Sequence, residues 1–376
     1  MARFTRPVES TREPMDIDAY LTKKLAALEE ETSQVKDFRV FDFSWVPEQP
    51  LIREEARPII DNLLKYARTG IPQNLVLLGS RGCGKTLLMR YLQRLLKERA
   101  GLEILYSNCR NENTSFKILA GFVGASLRGT SLQEMYARFE ARYPGRVVIV
   151  LDEVDLISKK DPNKDILYFL SRSEHAYMVV CLSNNPRLVA ELDSSVRSSL
   201  QAETIYLKNY DAAQVAEILQ QRALAGLRAS RENDQAKIAA LVVQRTNSDV
   251  RVAIKTLFYA VTGEGNEIED SFDHAQRDIY IDLIADLNTR NLLILRAIQS
   301  TRDRFVKKVF RTYEQLSREA GESSYSYVYF LNNLSYMQSL GLVLLVQTKV
   351  NRSYTSTVSL LFSERVLDTI YRLRFG

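Results

Sequence analysis

The chain has little of what builds metal clusters or disulfide frameworks. Its 376 residues hold three cysteines, Cys83, Cys109 and Cys181, which lie far apart without CxxC spacing, and two histidines, His175 and His274. A zinc site or a disulfide scaffold is therefore not expected. No uninterrupted apolar stretch approaches the roughly 18 residues that a membrane span needs. The N-terminal MARFTRPVESTREPMD has charges throughout and no apolar core, so no secretory signal is expected and a cytoplasmic location is. Internal repeats and low-complexity tracts are lacking as well, which sets aside solenoids and linkers.

What is present is a globular composition, 45% hydrophobic and 26% charged, in a chain long enough for two or three domains. The net charge is only +5. Residues 287–376, however, hold 13 Lys and Arg against 6 Asp and Glu, more surplus than the whole chain carries. Such an end suits an anionic polymer, although a merely solvated basic face fits the same count.

Residues 1–45 are polar, with one helical pattern in DIDAYLTKKLAALEEE, and read as an arm. REEARPIIDNLLKYARTG reads as an amphipathic helix ending at Gly70. Strands then alternate with helices: LVLLG, the helix LLMRYLQRLLKER, EILYSN, VVIVLDE, the helix KDILYFLSR and MVVCLSN. Strands without polar interruption, alternating with helices, predict a parallel sheet covered on both faces, here over residues 46–209. Residues 210–286 read as helices only. Residues 287–376 carry NLLILRAIQS, VFRTYEQLSREAG and the Tyr-rich SYSYVYFLNNLSYMQSLG, followed by the β-prone LVLLVQ and TSTVSLLF around TKVNRSY. Three helices and a hairpin in that order describe a winged helix.

GSRGCGKT at 79–86 fits the P-loop, and its context of strand before and helix after is the confirming one. Gly79, Ser80, Arg81, Gly82, Cys83, Gly84, Lys85, Thr86 and Leu87 would wrap the phosphates of ATP or ADP: glycines turn backbone N-H groups inward, and Lys85 reaches the β- and γ-phosphates. Thr86 and Asp152, the latter at the end of VVIVLDEVD, would hold Mg2+, because a carboxylate at the end of a buried strand is costly unless paired or metal-bound. Glu153 is the natural group to orient an attacking water. Asn184 in MVVCLSNNP could touch the terminal phosphate, or simply form the turn before Asn-Pro. Arg251 opens a helix in SDVRVAIKTL and could reach the phosphates, or be an exposed helix arginine.

The order P-loop, LDEVD, SNN, SDVR, with helices after the sheet, resembles the AAA+ ATPases. More narrowly, REEARPIIDNLL, IPQNLVLLGSRGCGKT, NCRNENTSFKIL, VLDEVDLI, LSNNPRLVAELDSSVRSSL and the C-terminal winged helix resemble the archaeal replication initiators related to the origin-recognition complex and the cell-division-cycle loading factor, over roughly residues 45–370. The resemblance implies an AAA+ base, an all-α lid and a winged helix, slow ATP hydrolysis used as a switch, and a location with the nucleoid. It implies double-stranded origin DNA, an MCM-type replicative helicase and other initiator subunits as partners. It gives Lys85 and Thr86 to phosphate and magnesium, Asp152 and Glu153 to magnesium and hydrolysis, Asn184 to the first sensor and Arg251 to the second. A DNA-touching insertion matches FVGASLRGTSLQEMYARFE, with Arg128 as its phosphate contact. The chain departs from the family at Ser195, where an arginine usually stands, with Arg197 two residues on; at SDVR in place of G-D-A-R; and at NRSY, a wing tip without glycines.

In SYSYVYFLNNLSYMQSLG, Val328, Leu331 and Leu334 recur at helical spacing and are expected in the core, which leaves Tyr325, Tyr329, Asn332, Asn333 and Tyr336 for DNA, with core or interface the other reading for the tyrosines. Lys349 and Arg352 of the wing could reach an adjacent groove, or form a solvated wing tip. A second functional reading stays open beside the initiator: a DNA-binding regulator that holds a structural nucleotide without turnover.

Overall fold

The computed structural model describes residues 17–124, 129–158, 161, 164–263, 267–350 and 353–375. Helix α1 (Ile17–Glu31) is followed by an extended segment and α2 (Ala56–Thr69), which Gly70 ends in a left-handed conformation. The sheet region then runs β1 (Leu75–Leu78), α3 (Lys85–Ala100), β2 (Glu103–Asn108), α4 (Ser115–Val123), α5 (Leu132–Arg142), β3 (Val147–Asp152), α6 (Asp165–Ser171), β4 (Met178–Ser183), α7 (Leu188–Glu191), α8 (Ser194–Leu200) and β5 (Glu203–Tyr206). All pairings are parallel, in the order β2-β3-β4-β1-β5.

Side-chain alternation explains why these strands read as unbroken apolar runs. Leu75, Leu77, Val148, Val150, Val180 and Leu182 face one core, packed under α2 and α3. Val76, Leu78, Ile149, Leu151, Val179 and Cys181 face the other, packed under α4, α5, α6 and α8. With both faces covered there is no polar face to alternate with. The four strands read from sequence are all present. The edge strand β5 was not anticipated: ETIY is four residues long and half polar, as an edge permits.

Four helices follow: α9 (Ala212–Gly226), α10 (Glu232–Thr246), α11 (Val250–Thr262, closed by Gly263) and α12 (Ile268–Ala285). Then come α13 (Thr289–Ser300), α14 (Val306–Glu319), α15 (Tyr327–Ser339), the antiparallel hairpin β6 (Val343–Val350) with β7 (Ser353–Leu360), and α16 (Glu364–Phe375). This is the expected winged-helix order with one extra helix. One continuous core runs from Tyr210 through α9–α12 into Val309, Phe330, Leu334 and Ile370, so the expected boundary at 286/287 is bridged by shared packing.

Two expectations need correction. The segment before α2 is not a detached arm throughout. Val35 and Val40 are buried against α9, Lys36 N donates to Gly226 O at 2.8 Å, and the Arg222 guanidinium donates to the carbonyls of Val40, Asp42 and Trp45. Gly226 permits this approach, since a Cβ there would run into Val40. The second correction concerns α15. Its buried stripe is Phe330, Leu334 and Met337, while Leu331 is partly buried and Val328 is 69% exposed.

Candidate functional site

The site forms where the strands end. Register sets Asn108 beside Asp152 and Leu78 beside both Ser183 and Tyr206, so the polar residues that follow each apolar run emerge along one edge of the sheet. Ligands of open parallel sheets bind at this carboxyl edge. β1 ends at Leu78, the loop turns through Gly82 (φ +79°) and Gly84 (φ +90°), and α3 starts at Lys85. Both glycines are required. A Cβ at Gly82 would meet the Asp249 carboxylate, and one at Gly84 the Tyr210 hydroxyl, so the helical lid packs directly on the loop.

A cavity of about 370 Å³ lies between this loop and helices α9 and α11. On its polar side, Lys85 Nζ donates to Gly79 O (2.8 Å), Ser80 O (3.0 Å) and Asn184 Oδ1 (2.8 Å). Lys85 is buried and, among the described residues, carries no carboxylate partner, which leaves its charge for an anion that enters the cavity. Thr86 Oγ1 donates to Asp152 Oδ2 at 2.6 Å, and the Tyr106 hydroxyl donates to the same oxygen. Burial and the Asp152 charge both push the Tyr106 pKa up, so that hydroxyl remains a donor. Arg90 lies 3.4 Å over the Tyr106 ring.

Glu153 takes a left-handed backbone (φ +53°) as β3 ends, and Arg110 grips both its carboxylate oxygens, Nε to Oε2 at 2.9 Å and Nη2 to Oε1 at 3.2 Å. Arg251 is paired with Asp249 through Nε to Oδ1 at 2.9 Å and a second, shorter bond from Nη2 to Oδ2. Burial alone would depress the Arg251 pKa, but the Asp249 charge outweighs it and the net direction is up. Among the described residues Arg81 has no such partner, and burial lowers its pKa to about 10.

The apolar side of the cavity was not legible in the sequence motifs. It comes from Phe43, Pro47, Pro50 and Leu51 of the N-terminal segment and from Tyr210, Ile218 and Ile254 of the lid. Arg53, missed as well, donates to Cys83 O at 2.8 Å and lies 4.2 Å over the Tyr210 ring. Tyr106, Arg110 and Asp249 also went unnamed. A polar residue at the end of each apolar strand was the available signal for Tyr106 and Arg110; nothing local marks the proline-rich stretch.

Of the residues named from sequence, Arg81, Gly82, Cys83, Gly84, Lys85, Thr86, Leu87, Asp152, Glu153, Asn184 and Arg251 line this cavity. Gly79 and Ser80 lie behind the loop, on a second cavity. Arg197 is exposed on α8 and is not brought to the site, and Ser195 Oγ turns back onto Asp193. Thr86 and Asp152 supply two hard oxygens side by side, a donor set that suits Mg2+ shared with phosphates. Among the described residues no group of three or more His, Cys, Asp or Glu side chains could hold a metal alone.

A family model for an AAA domain matches residues 70–190. The chain is 30% identical to the ORC1-type DNA replication protein 1 of Sulfolobus acidocaldarius, across 68% of this chain and 70% of that one. It belongs to the family of ORC1-type DNA replication proteins. The same-named protein of Sulfurisphaera tokodaii is 27% identical, over 80% of this chain and 83% of that one. Two solved structures share the fold. The Aeropyrum pernix Orc1 protein in complex with DNA is 24% identical with a TM-score of 0.64, over 91% of this chain and 98% of that one. The Orc2 protein of the same organism, in ADPNP-ADP complexes, is 19% identical with a TM-score of 0.67, over 91% and 99%.

In this ORC1-type chain the expected DNA-reading helix is placed unevenly. Tyr329 is exposed, and Asn333 Nδ2 donates to Tyr329 O at 2.8 Å within its own helix. Tyr325 packs against Tyr313 and Tyr329, under the Arg290 guanidinium. Asn332 Oδ1 accepts from Arg187 Nη1 at 3.4 Å, which ties α15 to the segment after Asn184. Tyr336 feels the charge of Arg110, against a rise in its pKa caused by burial. Lys349 sits on β6 opposite Tyr354. Arg128 and Arg352 lie outside the described residues. Of the basic residues before and in α14, Arg304 pairs with Glu364 and Lys308 with Asp303; Lys307 and Arg311 are exposed. No helix among the described residues is long and apolar enough to cross a membrane.

Proposed function

We propose that this ORC1-type protein is a nucleotide-switched initiator with three working parts: a base (46–209) and a lid (210–286) that close on ATP, and a winged helix (287–376) that reads double-stranded origin DNA. The observation that carries this reading is the convergence of Lys85, Thr86, Asp152, Glu153, Asn184 and Arg251 on one cavity built from base, lid and N-terminal segment. The apolar side, with Tyr210 and Ile254 in its wall, would take the purine. Lys85 exchanges its carbonyl partners for phosphate oxygens, and the N-H groups of 82–86 complete the cradle. Mg2+, held by Thr86 and Asp152, would neutralise charge on the β- and γ-phosphate oxygens.

For hydrolysis, Glu153 aims a water at the γ-phosphate, which leaves as inorganic phosphate with ADP behind. Arg110 occupies both carboxylate oxygens in the present geometry, so turnover waits on release of that pair, and slow hydrolysis follows. Arg251 ties the lid to the phosphates and loses that hold after hydrolysis. Through these movements the protein would mark an origin and, with other initiator subunits, help load an MCM-type helicase.

Multiple-turnover phosphate release tests the enzymatic half. The wild-type chain should release phosphate slowly but above background, and Glu153→Gln should bind ATP and release none. The Arg110–Glu153 pair also favours a second reading, in which the nucleotide is a structural ligand. That reading holds if wild type and Glu153→Gln are equally silent.

A further inference from the structure

Behind the P-loop lies a second cavity, of about 180 Å³, that the nucleotide reading does not use. Three sections of the chain wall it: Ser80 and Arg81 of the loop, Asn247, Asp249 and Tyr280 of the lid helices, and Gln338, Gly341 and Val343 of the C-terminal unit. Arg81 and Asn184 border both cavities.

Two donors in this wall have no hydrogen-bond partner. Arg81 Nη1 and the Tyr280 hydroxyl are each shielded from solvent and unpaired among the described residues. Tyr280 is 1% exposed, and its ring is fixed against Phe362 at 5.7 Å. A buried donor without a partner is costly, more so when charged, so two on one cavity point to something that belongs between them. The carboxylate on this wall, Asp249, is spent on Arg251. With Arg81 added, the local balance is one positive charge. The volume far exceeds what a single bridging water requires.

We propose that this junction cavity binds a small tetrahedral oxyanion, inorganic phosphate, through the Arg81 guanidinium and the Tyr280 hydroxyl. Arg81 stands between the two cavities, so the site adjoins the place where a γ-phosphate would be cleaved. An anion there joins loop and lid in one set of hydrogen bonds, beside the C-terminal unit that completes the wall.

The test is equilibrium binding of labelled orthophosphate to the full chain saturated with a non-hydrolysable ATP analogue, which fills the nucleotide cavity including the γ position. One saturable site per chain is expected, displaced by sulfate and weakened about tenfold by Tyr280→Phe, with analogue affinity unchanged. Asn247→Asp, which adds a carboxylate to the wall, should weaken phosphate binding too and covers the case in which Tyr280→Phe fails to fold. Absence of saturable binding, or binding that both variants leave intact, overturns the proposal. If the analogue itself does not bind, the nucleotide reading fails on its own, and the two variants still decide the junction site from phosphate binding without nucleotide.

Discussion

The nucleotide cavity and helix α15 are both rich in polar side chains, yet they hold them in opposite ways. In the cavity, Lys85, Thr86, Asp152 and Glu153 stand at the ends of buried strands or at a helix start, and each has a protein partner within 3.2 Å. On α15, among the described residues, Asn333 bonds within its own helix, Tyr329 is exposed, and Asn332 makes one long contact, to Arg187. The first arrangement is preorganised for a ligand of fixed shape and high charge. The second leaves its donors adaptable, as a surface that reads a long polymer requires. The two regions are also joined: Arg187 follows the Asn184 turn, and Tyr336 feels Arg110, which grips Glu153.

The largest effect should come from breaking the preorganised side. Lys85→Ala removes the buried cation at the centre of the cradle, and ATP affinity should fall roughly 100-fold by equilibrium titration, as expected for losing charge-assisted bonds. Arg110→Ala leaves the cradle intact and frees Glu153. Turnover should then rise, by about three- to tenfold, and a fall would mean that Arg110 itself takes part in hydrolysis.

On the adaptable side, effects should be smaller and of another kind. Asn332→Ala should relax sequence preference by about 1–3 kcal/mol at one base position, whereas Lys307→Ala or Arg311→Ala should weaken all DNA alike and reduce the salt slope by about one. Competition binding with base-substituted duplexes, repeated at several salt concentrations, separates the two.

The smallest expected effect is a stability term beneath the site. Burial raises the Asp155 carboxyl above its ordinary range, while the Ser183 hydroxyl donates to it and limits the rise. A raised carboxyl means the folded state binds more protons than the unfolded one, so stability is lost as pH rises through the window above the ordinary carboxylate pKa. Asp155→Asn should flatten the denaturation midpoint against pH there, by about 1 kcal/mol or less.

How much of this was legible in sequence follows the same division. The P-loop, LDE and SNN stretches are contiguous and lie at the ends of apolar runs, so chemistry and strand position reinforce one another, and the sheet followed directly. The apolar wall from Phe43 to Leu51 was invisible because it depends on a long-range contact, the buried Arg222 reaching three carbonyls. On α15 the phase was misread for a local reason. Val328, Leu331 and Leu334 sit at helical spacing, and so do Phe330, Leu334 and Met337; in a helix with tyrosines on every side, periodicity alone does not choose. Packing of Phe330 against Phe310 and Tyr313 does.

If nucleotide in the cavity governs the reading of DNA by α15, as proposed, retention of fragments of the source organism's own DNA tests that link most directly. The purified chain, at physiological salt, is loaded with ATP in one arm and ADP in the other. Enrichment of a few discrete loci, with occupancy that differs between the arms, is the expected result; uniform retention, or the same loci at the same occupancy with either nucleotide, contradicts it.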